Sequence, residues 1–559
     1  MHFSLPSLIA LISSSSAAAA AAASSSSVSS WSGWGGNIFN NRWTASKTIT
    51  PSNINSLTQH CQLVYPFGVS ATPVVYNNTA YYPTWNGSIV ALDYTTCRVQ
   101  WTVNVTAIVY NYRVPTPDVL LATFPLSRTS PQISGHVLFF GTQMHALLVA
   151  VNRHTGAFLD LIQIHSHPYA VLTTSPTVYK DTVMLGTASL EEPSALFFPN
   201  YTCCTFIGSF AAVTFPPTLN KFKLRLKWSL SMVPPGSGFS GAAVWGSQPS
   251  ISPADKNKKS ASVFFATGNI YSFPPQYAHC ASPSANISCL PSNIYQNSIL
   301  SVDISTGKVR WAYRTSPMDA FNGACVTSPI DTQGCPSEPP GPDADFAMAP
   351  VYVRRTTSPG SFSSDVVITG QKNTAVYALD ANTGRPYWVK IIRPALKDVF
   401  QGGALRWGIA VDDERIYYTL GYSKVTAANV SSSIYGALEL SSGKILWEKD
   451  SNTPLGKNSI ALNPGTVQGD LLFVPRTGDL DGTGSFLASK GGLVVLDTKQ
   501  GRRLLERELD VMFQGGIAVV GEYVLFGTGY RNGVVYDYRG TGSFHVWKVV
   551  TGRPRHGKE

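Results

Sequence analysis

This sequence predicts an all-β fold, an eight-bladed β-propeller, and three observations carry the prediction. A strand-turn-strand signature recurs along the chain and closes on an Asx or Thr-Gly turn and, in the fullest copies, a tryptophan. The clearest are IVALDYTTCRVQW from Ile89 to Trp101, ILSVDISTGKVRW from Ile299 to Trp311, VYALDANTGRPYW from Val376 to Trp388 and YGALELSSGKILW from Tyr435 to Trp447, with weaker copies from Leu147, Phe210 and Leu493. Most copies follow an outward strand pair, as in ATPVVYNNTAYYPTWNG from Ala71, SPTVYKDTVMLGT from Ser175 and GIAVDDERIYYTLG from Gly408. Each unit is then roughly four short strands, the size of a propeller blade. No long amphipathic stretch follows each strand, which argues against an ordinary α/β barrel or doubly wound sheet.

In chain order the units fall near 71–101, 130–162, 174–228, 247–311, 348–388, 407–447, 465–503 and 515–547. The eighth lacks a full copy of the turn. VVYDYRG from Val534 and FHVWKV from Phe544 are expected to supply its strands, and Trp31 to Asn41 to lie near the seam where the ring closes. A repeat ring makes residues 31–550 one domain, although 559 residues would ordinarily mean several. A leader at 1–25 and a short basic tail at 551–559 flank it.

The leader carries FSLPSLIALI and then a Ser/Ala tract, an apolar core followed by small residues, although it has no Lys or Arg before that core. It reads as a secretory signal, and its apolar part is too short for a membrane span. Eight cysteines and Asn-x-Ser/Thr sites at Asn77, Asn86, Asn104, Asn200, Asn286 and Asn429 agree with an oxidising, extracellular destination. The expected disulfides are Cys280 with Cys289, Cys325 with Cys335 and, more loosely, Cys61 with Cys97. No paired CxxC is present to hold zinc. The net charge of +10 is scattered, with short runs only at KNKK from Lys256 and in the tail, so it reads as a solvated surface and not as a nucleic-acid footprint. His165 and His167 alternate along a possible strand and read as a surface pair.

Several stretches exceed what a repeat scaffold needs: LGTASLEE from Leu185, CCTFIGSFAAV from Cys203, GAAVWGSQPSI from Gly241, ATGNIYSFPP from Ala266, GPDADFAMAP from Gly341, GQKNTAVYALD from Gly370 and GGALRWGIAVD from Gly402. Together with the opening WGGNIFNNRW, they make the chain from about Trp31 to Trp547 resemble the quinoprotein alcohol dehydrogenase superfamily, and within it the polyvinyl-alcohol-dehydrogenase-like branch.

That resemblance implies pyrroloquinoline quinone as cofactor and calcium beside it. Trp245 matches the tryptophan on which the flat quinone stacks. Glu191 matches the metal-binding glutamate, with Glu192 as the alternative, while Asn269 and Asp345 match the other two oxygen ligands, a donor set suited to a hard cation. Asp345 also matches the base that takes the alcohol proton, with Asp343 competing. Met318 to Pro342 inserts a loop before that motif and blurs the register of the two aspartates. Lys372 matches the cation beside the quinone oxygens, where positive charge stabilises the reduced form, and Arg406 and Trp407 are expected to line the same pocket. Cys203 and Cys204 either form a vicinal disulfide against the cofactor or serve separate partners.

The sequence thus points to a secreted quinone-dependent dehydrogenase acting on an alcohol, whether polymeric, small or a secondary-metabolite intermediate. No CxxCH is present to attach a haem c, so the expected electron acceptor is external. The alternative is a non-catalytic propeller that uses the same repeats as a binding module.

Overall fold

A computed structural model of the chain describes residues 30–550, except 199–200, 256–259, 283, 327–330, 332–333, 356–361, 394–403, 422–424, 427–428, 431–432, 457–458, 480–488, 533–535 and 538–539. The leader, the tail, the KNKK run, Asn200 and the side chain of Asn429 lie outside the described residues.

Eight sheets follow one another along the chain, antiparallel except where Trp43–Thr44 pairs parallel with Val467–Gln468, and the first seven have their blade strands in 74–104, 132–163, 177–231, 250–314, 351–391, 410–450 and 466–508. The eighth takes its strands from 518–520, 523–527 and 541–549, and its outermost strand from the N-terminal segment Leu57–Pro66, paired antiparallel with Thr541–Val549. Phe544–Val549 lies in that last strand, as expected, whereas the expectation that the stretch from Val534 would supply another strand of the blade is corrected. Arg531–Asn532 instead pairs with Tyr536–Asp537 in a separate small hairpin. Completing the last blade with a strand from the other end of the chain joins the two ends of the ring in one sheet.

The recurring tryptophan and glycine now have a physical role. Trp101, Trp228, Trp311, Trp388 and Trp447 each donate the indole N–H to a backbone carbonyl in the turn of the next blade, at 3.1, 2.9, 3.0, 3.2 and 3.0 Å. In those turns Gly156, Gly307, Gly384, Gly443 and Gly501 adopt φ between 67° and 73°. An added Cβ would lie only 2.5–2.8 Å from an indole carbon. Both the left-handed backbone and the close ring approach require glycine. At the seam the device changes. Trp547 Nε1 has no hydrogen-bond partner among the described residues, and the glycine position is held by Cys97 (φ 62°), which is bonded to Cys61 on the closing strand.

Residues 31–44 do more than border the seam. Ile251, Tyr352, Val411 and Val467 donate their amides to the carbonyls of Ile38, Phe39, Asn41 and Arg42 at 2.8, 3.0, 2.8 and 2.9 Å. The segment therefore threads past the innermost strands of blades four to seven. Arg42, 1% exposed, donates to the carbonyls of Trp34, Gly465 and Ile517 and to Thr466 Oγ1. That fan of bonds fills one end of the axial channel.

Helices α1 (Val105–Tyr112) and α2 (Pro117–Ala122) join blades one and two, and α3 (Glu191–Phe197) is inserted within blade three. No helix among the described residues is long and apolar enough to cross a membrane. The disulfides Cys61–Cys97, Cys280–Cys289 and Cys325–Cys335 are formed as expected, and Cys203 is joined to Cys204.

Candidate active site

The segments that lead into the innermost strands converge on the axis, and there they enclose a cavity of about 440 Å³. Asp343, Asp345, Lys372, Trp245, Arg406 and Trp407 all line it. The sequence had named five of these six as site residues and Asp343 as the competing base, and the structure brings all six to one cavity.

Lys372 Nζ bridges the two aspartates, 2.8 Å from Asp343 Oδ1 and 2.6 Å from Asp345 Oδ1, with all three side chains almost fully buried. The second oxygen of Asp345 accepts the Trp245 indole N–H at 2.7 Å. The Lys372 ammonium sits 5.4 Å from the centre of the Trp245 ring, and Trp407 meets that ring edge-on at 5.4 Å. Burial alone would lower the Lys372 ammonium pKa, but Asp343, Asp345 and Glu192 together hold it above its ordinary value. Burial pushes the Asp343 carboxyl up to about 7, against the pull of Lys372.

The glutamate assignment is corrected by one residue. Glu191 faces away from the cavity: its carboxylate accepts the amides of Thr205 (3.0 Å) and Phe206 (2.7 Å) and the Tyr201 hydroxyl (3.0 Å). Those bonds pin the strand that follows Cys203–Cys204. Glu192, the alternative, lines the cavity, and burial followed by repulsion from Asp343 raises its carboxyl well above the ordinary range.

Cys203 and Cys204 are bonded but do not line the cavity. They pack in the apolar cluster that backs its wall, which includes Ala188, Ala243, Tyr271 and Trp245. Asn269 is fully buried behind the wall. Its Nδ2 donates to Phe321 O at 2.8 Å, while Oδ1 has no hydrogen-bond partner among the described residues. His165 and His167 are half-buried, not a surface pair, and His167 Nε2 lies 3.5 Å from Glu191 Oε1.

The inserted loop that blurred the aspartate register is the frame of the site. Asp319, 1% exposed, accepts the amides of Asp343 (3.2 Å) and Ala344 (2.7 Å). Gly323 abuts α3, where an added Cβ would lie 2.5 Å from Glu192 O. Phe321 holds Asn269 through its carbonyl. One loop thereby holds the Asn269 side chain, abuts the Glu192 backbone and braces the two residues before Asp345.

Sequence reasoning missed Asp319, Arg128, Tyr271 and Tyr530, the last three on the cavity wall. Arg128 stacks on Trp407, its guanidinium carbon 5.0 Å from the ring centre. The signal for Arg128 was present in LSRTSP, because blade-opening segments converge on the axis. Asp319 carried no such signal.

The residues suit an anionic quinone and a hard cation on two observations. Glu192 and Asp343 are raised partly by their neighbours' negative charge, a repulsion that a cation relieves, and the orphaned Asn269 oxygen is a neutral donor waiting for one. Arg128, Arg406 and Lys372 offer positive charge for an anionic ring system.

Comparison with known proteins agrees. Two polyvinyl alcohol dehydrogenases are similar in sequence: one from Pseudomonas sp, 24% identical over 82% of this chain, and one from Sphingopyxis sp. (strain 113P3), 25% identical over 57%. The matches cover 66% and 46% of those relatives' own lengths. The family described as "Outer membrane protein assembly factor BamB" (PQQ_2) matches residues 297–555. Among solved structures, a europium-containing methanol dehydrogenase superposes with TM-score 0.65 at 14% identity, over 93% of this chain and 98% of that one. The quinohemoprotein alcohol dehydrogenase of Comamonas testosteroni gives 0.63 at 16% identity, over 95% and 82%. The fold is that of the quinoprotein alcohol dehydrogenases. In sequence this quinoprotein-fold chain resembles the polyvinyl alcohol dehydrogenases, as its motifs implied.

Proposed function

We propose that this protein is a quinone-dependent dehydrogenase that oxidises an alcohol to a carbonyl compound and passes the electrons to a separate acceptor. The observation that carries the proposal is the convergence of Asp343, Asp345, Lys372 and Trp245 on one cavity, with Lys372 bridging both carboxylates. The names of the two bacterial relatives and the quinoprotein fold support the same reaction class.

Pyrroloquinoline quinone and calcium are the proposed cofactors; when bound they supply a two-electron acceptor and a Lewis acid that polarises its carbonyl oxygens. Trp245 and Trp407 offer aromatic surface to a flat ring. Arg128 and Arg406 meet its negative charge. Glu192, Asn269 and Asp345 are the proposed oxygen ligands for calcium. Asp345 is the proposed acceptor of the hydroxyl proton: it lines the cavity, held in place by the Trp245 indole N–H at 2.7 Å and the Lys372 ammonium at 2.6 Å. Asp343 shares the same lysine and is the second carboxylate within reach.

A secreted protein is the proposed context. Four disulfides and exposed Asn77, Asn86, Asn104 and Asn286 support it, as does the leader composition. The test is alcohol-dependent reduction of an artificial dye by protein supplied with pyrroloquinoline quinone and calcium. Activity that needs both additions supports the proposal. Dye reduction absent under every combination moves the reading to a binding propeller.

A further inference from the structure

We infer that the alcohol taken by this site carries an extended apolar body, a long-chain and not a methanol-sized substrate; the inference rests on the dehydrogenase reading above. The cavity has two unlike sides. One is the charged set around Lys372. The other runs from Ala243 and Ala188 past Leu190 and Pro193 to Phe197, all of them lining the same space. Ser189 lies within that run, and its hydroxyl oxygen accepts the Glu191 amide at 3.0 Å. Phe197 both lines the cavity and is 41% exposed, so the apolar side ends in solvent.

Helix α3 orients the two sides. Glu192 stands near its start and Phe197 at its end, which places roughly 7.5 Å of helix axis between the charged site and the apolar mouth. The opposite end of the axis is filled, because the Trp34 indole N–H donates to Trp407 O at 3.0 Å and Arg42 anchors the plug beneath it. An alcohol whose hydroxyl meets the aspartates finds its apolar path to solvent along Pro193 toward Phe197.

Leu190, Pro193 and Phe197 offer no side-chain group that could recognise a chain of hydroxyls. They do reward methylenes, each fully buried CH₂ being worth ~0.8 kcal/mol, or about fourfold in affinity. The neighbouring α2 ends on Thr123, which donates to Gln143 on the cavity wall at 2.7 Å. That helix carries Leu120 and Leu121, 38% and 64% exposed.

Calorimetric titration of the full chain, with and without added quinone and calcium, tests this with ethanol, 1-butanol, 1-hexanol and 1-octanol. The expected result is a Kd that falls two- to fourfold for each added methylene. In Phe197→Ser the ratio of octanol to ethanol affinity should fall at least tenfold, and Phe197→Leu should restore most of it. Equal affinity across the series, or a ratio unmoved in Phe197→Ser, overturns the inference even if the loaded protein oxidises ethanol. Chain-length-dependent binding without oxidation of any alcohol upholds the apolar site and rejects the dehydrogenase reading.

Discussion

The blade ring and the axial cavity are built from the same repeats by opposite means. In the ring, stability is local and periodic: five tryptophans each bond to the next blade's turn and rest on its glycine. On the axis nothing is periodic. Glu192 lies in blade three and Lys372 in blade five, while Trp245 and Asp345 sit in the links before blades four and five; α3 carries Glu192, and the 318–342 loop braces the backbone just before Asp345. Scaffold and chemistry are thus separable, and substitutions in the two regions should have different signatures.

The largest effect is expected on the axis. Asp345→Asn should lower turnover of the reconstituted protein by about 10²–10⁴, the usual range for losing a positioned general base. Quinone binding should largely survive, as read by equilibrium titration. A mutant with unchanged turnover would transfer the base role to Asp343.

Lys372→Met breaks the separation on purpose, because it leaves two buried carboxylates facing each other without their cation. Removing one partner of a buried pair costs about 3–5 kcal/mol. A matching drop in urea-denaturation stability, together with lost quinone affinity, is the expected outcome. Stability that stays at the wild-type level would mean the pair is solvated.

Trp311→Ala is the converse. It should cost about 3–5 kcal/mol by deleting a packed indole, with quinone affinity unchanged within about twofold of wild type if ring and site are independent. A coupled loss of affinity would show that the blades transmit strain to the axis.

The smallest contrast is between neighbours. Glu191→Gln should lower stability by about 1.5–3 kcal/mol, since it removes a charge that accepts backbone amides. Glu192→Gln should spare stability and weaken calcium binding, measured by calorimetry. The reverse pattern would restore the sequence-based assignment to Glu191.

The same comparison explains what could be read from the sequence. Blades were legible because strand alternation, an Asx turn and a closing tryptophan are short-range features repeated many times. The closing strand was not, because Leu57–Pro66 pairs with Thr541–Val549 nearly the whole chain away and carries no copy of the repeat. Residues such as Lys372 and Trp245 stood out as departures from the repeat. Choosing between Glu191 and Glu192 required knowing which way the first turn of α3 faces, and adjacent helical positions point about 100° apart. Asp319 was invisible because its partners, the Asn297 side-chain amide and the backbone amides of Asp343 and Ala344, all lie more than twenty residues away.

The most direct test of the account is equilibrium titration of the purified protein with pyrroloquinoline quinone, with and without calcium, beside Trp245→Ala. The account predicts one quinone per chain, tighter with calcium and at least tenfold weaker in the variant. No saturable binding to the wild type under either condition would contradict it.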